Sequence, residues 1–462
     1  MLRRVDSSQG PQYSCGTLFL GDIMTGVWVG FLCFALGPVE PTEAKLPTNF
    51  LTGAQGFALF PKGIVRLKET LLVDLAQLGR IQLVGQGTQL IMEGPGPAIR
   101  VVGSFVAGNA EPKNVPQLVR HREWGCSLSG LDIVGGHPEA GGIELSGTMA
   151  MSIRGVSVRS CKLGIHLIKL NRNLLVADCH LYDNSGCGIF YDKVNLHQSN
   201  ITGCHISYCR GGGIVSRGGD VRNIQIANCD IEANMDTDAK ALPTANIELD
   251  STGGSVAEVA ITGCTIQHSK ANGSANIRIK GKGDGGKLGP TREGHFTITG
   301  NVLSDVETNV DLADCRGVTL TGNTFWMGYV HNLKVQRSSH IVLGPNSMER
   351  NPRYDYGTSK EASNSVVFLQ CENCTIQGLN LHQTKKAKAG LVVEDSFGFN
   401  ISGCSIIECE PTGMMLIRVK ESLVSGCRIK VDKIKASPFV TIGCDNLIFA
   451  GNNFFQQAGP AK

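Results

Sequence analysis

The chain has 462 residues, of which 18% are charged, 42% apolar and only 6% aromatic. Its 43 basic and 40 acidic side chains leave a formal net charge of +3, too balanced for a nucleic-acid or acidic-membrane partner. Gly, at 58 residues, has no collagen period, and the apolar content excludes a disordered polyelectrolyte.

The first apolar run, residues 27–36, is far shorter than the roughly 20 residues that cross a membrane, so no membrane span is expected. Its length suits the core of a secretory signal, with Arg3 and Arg4 upstream and Thr42-Glu43-Ala44 as a poor cleavage site. Segment 1–54 therefore has two open roles, signal peptide and cap over the fold that follows. The first role gives a secreted or periplasmic protein, and the second leaves a cytoplasmic one open.

From residue 55 to 456 a single phrase recurs: apolar-x-apolar-x-Gly-(Cys/Asn)-x-apolar. It reads Ile201-Thr202-Gly203-Cys204-His205-Ile206 in one copy and Leu320-Thr321-Gly322-Asn323-Thr324-Phe325 in another. With the Cys or Asn slot as reference, copies fall at 131, 156, 179, 204, 229, 264, 301, 323, 346, 379, 404, 427 and 452. A period in the low twenties, built of short strands and turns, indicates a solenoid, and no sustained 3.6 period supports a helical one. Each copy leads to a second strand, such as Gly213-Ile214-Val215-Ser216, and then to a third. The expected fold class is all-β: a right-handed parallel β-helix of about 13 coils, roughly 60 Å long at 4.8 Å per coil, with an N-terminal cap. Residues 457–462 form a tail.

The cysteines follow the same phrase. Cys179, Cys204, Cys229, Cys264, Cys404 and Cys427 share one slot, which predicts an interior column of free thiols. Cys371 and Cys374 form a C-x-x-C without a second pair, which does not make a zinc site. Asn301, Asn323 and Asn452 occupy the same slot and predict side-chain ladders in the turns.

Phe60-Pro61-Lys62-Gly63, followed by Leu83-Val84-Gly85-Gln86-Gly87, resembles the opening coil of the pectate-lyase-like superfamily of β-helix proteins. The later coils resemble its carbohydrate-binding and sugar-hydrolase repeats. The resemblance implies the fold and, among other activities of the superfamily, polysaccharide cleavage by hydrolysis or elimination. Of the strings that mark the polygalacturonase type, only Arg278-Ile279-Lys280 is present, and the Asp-His strand signature of pectate lyases is absent.

Side chains of a coil alternate between interior and solvent, so chemistry belongs to outward positions flanked by long turns. The longest steps fall between 229 and 301, with extra residues at 235–244, 251–257 and 281–293. Second-strand outward positions put Glu248 and Asp250 on one face about 6.5 to 7 Å apart, near the lower edge of the inverting glycosidase range. Arg217, Arg278, Lys280 and Asp192 lie on the same face and suit an anionic sugar; a ladder of surface ion pairs is the structural alternative. The rival set is His180, His205, Asp230 and Glu232 on the first strand, where imidazole and carboxylate stack coil on coil and suit proton transfer or a divalent cation. Trp326, Tyr329 and Tyr354 offer flat faces for sugar rings. The expectation is a carbohydrate-active protein, glycosidase or lyase, holding a polysaccharide or oligosaccharide over the middle coils. A non-catalytic scaffold or surface protein is the alternative. No metal ligands are assigned, calcium stays open as a cofactor, and a monomer or homotrimer fits equally.

Overall fold

The computed structural model describes residues 42–282, 293–431 and 437–456. The apolar run 27–36, most of the 281–293 segment and the 457–462 tail lie outside those residues.

Among the described residues, forty strands join in one parallel sheet that winds coil upon coil. The first sheet is built of three-residue strands, among them His180–Tyr182, His205–Ser207, Asp230–Glu232 and Thr265–Gln267. In the middle coils the second and third sheets share long strands: Ile165–Ala177, Cys187–Thr202, Gly212–Ala227 and Ala245–Thr262. The expected break before a third strand is absent there, and residues 251–257 lie inside a strand rather than in a loop. Residues in the left-handed region take the bends in each coil, among them Lys169 at φ 57°, Lys193 at 47°, Gly218 at 67° and Gly253 at 72°. One such residue turns the chain without the cluster of turn residues that a sequence reading relies on.

Stacking in register fills the interior with like residues. Leu181, Ile206, Ile231, Ile266, Leu303 and Phe325 follow one another along the first sheet. Ile189, Ile214, Ile247, Ile277 and Val310 do so along the second. The Gly of the phrase is the corner between third and first sheets. Gly203 sits there at φ 62°, where a Cβ would come within 2.8 Å of Asp178 Oδ1. Glycine reaches that conformation at little steric cost.

The slot after the corner faces inward, and the cysteines fill it as small apolar donors. Cys179 lies 3.2 Å and Cys229 likewise 3.2 Å from the carbonyl two residues earlier, and the described cysteines are all free thiols. Cys371 and Cys374 are buried in the same core. Where Asn replaces Cys, a ladder forms: Asn301 Nδ2 donates to Asn323 Oδ1, and Asn323 Nδ2 to Asn346 Oδ1, each at 3.0 Å. A second ladder, at the start of the second sheet, links Asn234, Asn246, Asn276, Asn309 and Asn332, all fully buried, at 2.7 to 2.9 Å.

At the N-terminal end, Glu43–Ala44 pairs with Ile64 and Val65, while Leu46, Phe50, Leu51 and Ala54 pack against the core. That covers apolar side chains which the first coil would otherwise expose.

Candidate functional site

The two expected site faces differ in how their charges are satisfied. On the second sheet, Phe190, Val215, Glu248, Arg278, Asp311 and Lys334 occupy one outward row, and Asp192, Arg217, Asp250 and Lys280 the next. Adjacent members pair. Glu248 accepts from Arg217 Nε at 2.9 Å and Nη2 at 2.8 Å on one oxygen, and faces Arg278 at 3.7 Å on the other. Arg278 also reaches Asp311 at 3.5 Å and donates to the Gly273 carbonyl. Asp250 takes Lys280 at 3.5 Å on Oδ2 and the Thr252 amide at 2.8 Å on Oδ1. Burial alone would lower the Arg217 guanidinium, and Glu248 beside it raises it instead. Glu248 itself is 7% exposed.

The same row extends two coils toward the N-terminus, where the sequence reading did not follow it. His166 stacks on Phe190 at 5.7 Å and lies between Glu144, 3.0 Å from Nδ1, and Asp192, 3.2 Å from Nε2. Arg100 holds the other Glu144 oxygen at 2.5 Å. Burial would lower His166, but the two carboxylates outweigh it and raise it; His166 in turn is the main cause that holds Glu144 low. Only Asp192 of this chain of pairs was expected. Counting back along the register from Phe190 to His166 and Glu144 was the available signal.

On the first sheet the charged groups approach one another without hydrogen-bonding. His180, His205, Asp230 and Thr265 form one outward row, and Tyr182, Ser207, Glu232 and Gln267 the next. His180 and His205 stack face to face at 4.7 Å. His205 Nε2 stands 3.6 Å from Asp230 Oδ2 and 3.7 Å from Glu232 Oε1, beyond hydrogen-bond reach of both. His205 Nε2 and Asp230 Oδ1 are shielded from solvent yet lack a partner, while Glu232 Oε2 receives Gln267 at 3.3 Å. Burial and then Glu232 hold the Asp230 carboxyl above its ordinary range, with His205 and His268 opposing. Burial and then His205 lower His180. One atom each from His205, Asp230 and Glu232 lie within 4.8 Å of one another, a donor set able to take a divalent cation. Mixed imidazole and carboxylate suits zinc-like ions better than the all-oxygen cages of calcium.

Aromatic faces flank this cluster at both ends. Tyr182 and Tyr208 are 40% and 51% exposed, with ring centroids 5.5 Å apart. In the other direction the row runs from Glu232 through Gln267 and Ser304, and the Trp326 amide bonds to Leu303, placing Trp326 next. Trp326 packs on Tyr354 at 4.6 Å, and Tyr354 is 6.5 Å from Tyr356. From Tyr182 to Trp326 is five coil steps, about 24 Å. Tyr329 is used differently: Lys270 covers its ring at 4.3 Å and its hydroxyl lies 2.5 Å from Thr358.

Residues 125–253 match the family model described as the right handed beta helix region, and residues 232–459 match that of the periplasmic copper-binding protein NosD. The chain belongs to the right-handed parallel β-helix superfamily. No curated protein matches it by sequence. Among solved structures, the β-helix is similar to the Dettilon tailspike protein at 12% identity and TM-score 0.48, over 85% of this chain and 63% of that one. It thus spans less than two thirds of that tailspike's length. The tailspike of Escherichia coli bacteriophage HK620, solved with a pentasaccharide, aligns at 10% identity and TM-score 0.37, covering 87% of this chain and 74% of its own. The A-module of an Azotobacter vinelandii mannuronan C-5 epimerase aligns at 12% and 0.33, covering 89% and 92%. Among the described residues, no helix is long and apolar enough to cross a membrane.

Proposed function

We propose that the β-helix binds a polysaccharide along the first sheet and hydrolyses it at His205, Asp230 and Glu232. The observation that carries this reading is the convergence of acid, base and imidazole groups that do not hydrogen-bond one another, between two aromatic platforms. Tyr182 with Tyr208, and Trp326 with Tyr354, are faces on which sugar rings stack, and they define a strip long enough for several sugars. Asp230, whose carboxyl is raised by burial and by Glu232, is the general acid for the glycosidic oxygen. Glu232 faces the anomeric carbon. Its separation from Asp230, within 4.8 Å between ligand atoms, is nearer to the retaining arrangement of about 5 to 5.5 Å than to the inverting one. The paired second-sheet charges are read as supports that hold the coils in register. The periplasmic description of the NosD model favours work outside the cytoplasm.

A panel of neutral and acidic polysaccharides tests this, read by reducing ends and by absorbance at the wavelength of unsaturated uronates, with and without added calcium or EDTA. New reducing ends without absorbance support hydrolysis, absorbance means elimination, and silence across the panel removes the catalytic reading. In that last case the strip should still bind. Tyr182→Ala and Trp326→Ala are each expected to weaken binding about tenfold.

The pH profile carries a second expectation. Activity should fall as pH rises through the Asp230 pKa, because the acid must be protonated. His205 is among the groups that lower that pKa, so His205→Gln should move the alkaline limb to higher pH whatever it does to the maximum rate. A limb that stays in place would remove Asp230 as the acid.

A further inference from the structure

The charged row of the second sheet ends at Lys334, and the row then turns apolar through Val367 and Val392. Over this change lies a cavity of about 300 Å³, with Val367, Leu369 and Val392 among its lining residues. Lys334, Lys386 and Lys388 also line it. Its one carboxylate is already satisfied, since Glu394 holds Lys388 at 3.2 Å and Arg418 at 2.8 Å. Neither Lys334 nor Lys386 has a carboxylate at ion-pair distance among the described residues, so the cavity presents two ammonium groups without a direct ion-pair partner over an apolar floor.

Two polar groups in the wall are oriented for a ligand and not for the protein. Ser365 Oγ donates its single proton to the Val330 carbonyl at 2.9 Å, so at the 2.6 Å contact with His331 it is the acceptor. The His331 proton is therefore on Nδ1, and Nε2 presents a lone pair with no protein partner among the described residues. Burial, with Lys334 next, pushes His331 down to about 4, which keeps that nitrogen an acceptor at neutral pH. Ser363 lines the same cavity at 8% exposure. Its backbone is bound to Tyr329 and Lys385, while its hydroxyl has no partner among the described residues.

We propose that this cavity is a second binding site, for a small organic monoanion with an apolar body and a hydroxyl group, such as a hydroxyaryl carboxylate. The carboxylate meets Lys334 and Lys386, and the body covers Val367, Leu369 and Val392. The hydroxyl donates to His331 Nε2, and Ser363 donates to the ligand. The site shares no residue with the first-sheet strip, so either can fail without the other.

Calorimetric titration of the full chain tests it with three matched probes: 4-hydroxyphenylacetate, phenylacetate without the hydroxyl, and 4-hydroxyphenethyl alcohol without the charge. The first is expected to bind, and each of the others about tenfold more weakly. Lys334→Gln with Lys386→Gln, both at the cavity rim, should erase the advantage of the charged probe alone; His331→Phe should erase that of the hydroxyl. Absence of binding by 4-hydroxyphenylacetate at millimolar concentration, equal affinity for the three probes, or an unchanged carboxylate preference in the double lysine variant would each overturn the proposal.

Discussion

Glu232→Gln is expected to lower turnover about a thousandfold, the range over which a positioned carboxyl group acts in proton transfer or as a nucleophile. The fold should survive the change, because the one hydrogen bond Glu232 accepts from a side chain among the described residues is from Gln267, at 3.3 Å, and an amide can keep it. Affinity for the polysaccharide should stay within a few fold, since the aromatic platforms supply the stacking surface. Glu248→Gln is the informative companion. Glu248 is bound on one oxygen by Arg217 and faces Arg278 at 3.7 Å on the other, so its amide analogue is expected to keep turnover within about threefold and to show its cost in stability. If Glu248→Gln abolishes turnover while Glu232→Gln does not, the chemistry belongs to the second sheet and the first-sheet assignment is wrong. The two variants are the same substitution on the same rod, so the comparison isolates which face reacts.

That both faces were visible in the sequence, and the pairing of their charges was not, has a physical origin. Register in a stacked coil is set by the interior, and the interior repeats. Ile206 under Ile231 forces His205 under Asp230, so any reader who places the Cys slot can list the outward rows. What a row does not disclose is whether neighbouring charges touch. Arg217 and Glu248 are one step apart and bond at 2.9 Å; His205 and Asp230 are also one step apart and stop at 3.6 Å. The difference lies in side-chain length and in what else competes. The long Arg side chain folds down on its neighbour, whereas the His205 ring is held flat against His180. The same reasoning explains what was missed. Trp326 is only three residues past the Asn323 slot, but its place on the Glu232 row emerges only when Gln267 and Ser304 are counted coil by coil. The turn residues could not be read either. Lys169 and Lys193 carry positive φ without any local sign of it, which is why three separate strands were expected where two are joined.

The largest stability effect is expected from the interior of the rod, at Asn276. Its Nδ2 donates to the Ser304 carbonyl at 2.8 Å and to Asn309 Oδ1 at 2.7 Å, and its Oδ1 accepts from Asn246 at 2.8 Å. Asn276→Leu removes all three and strands two buried acceptors in a region without water access, which costs about 4 kcal/mol. Leucine also brings no amide, so the ladder is cut in two at its middle rung. Asn332 is the contrast, because it ends the ladder. Its Oδ1 accepts from Asn309 at 2.9 Å, but its Nδ2 is buried without a partner already. Asn332→Leu relieves that unsatisfied donor while losing one bond, so its cost should be about 1 kcal/mol. Urea unfolding of the two variants measures the difference, with unchanged slope showing that the same surface is exposed in each. Equal midpoints would overturn this accounting. A middle rung about four times as costly as the end rung would mean that the buried amide bonds bind successive coils along the axis that the first-sheet strip also follows.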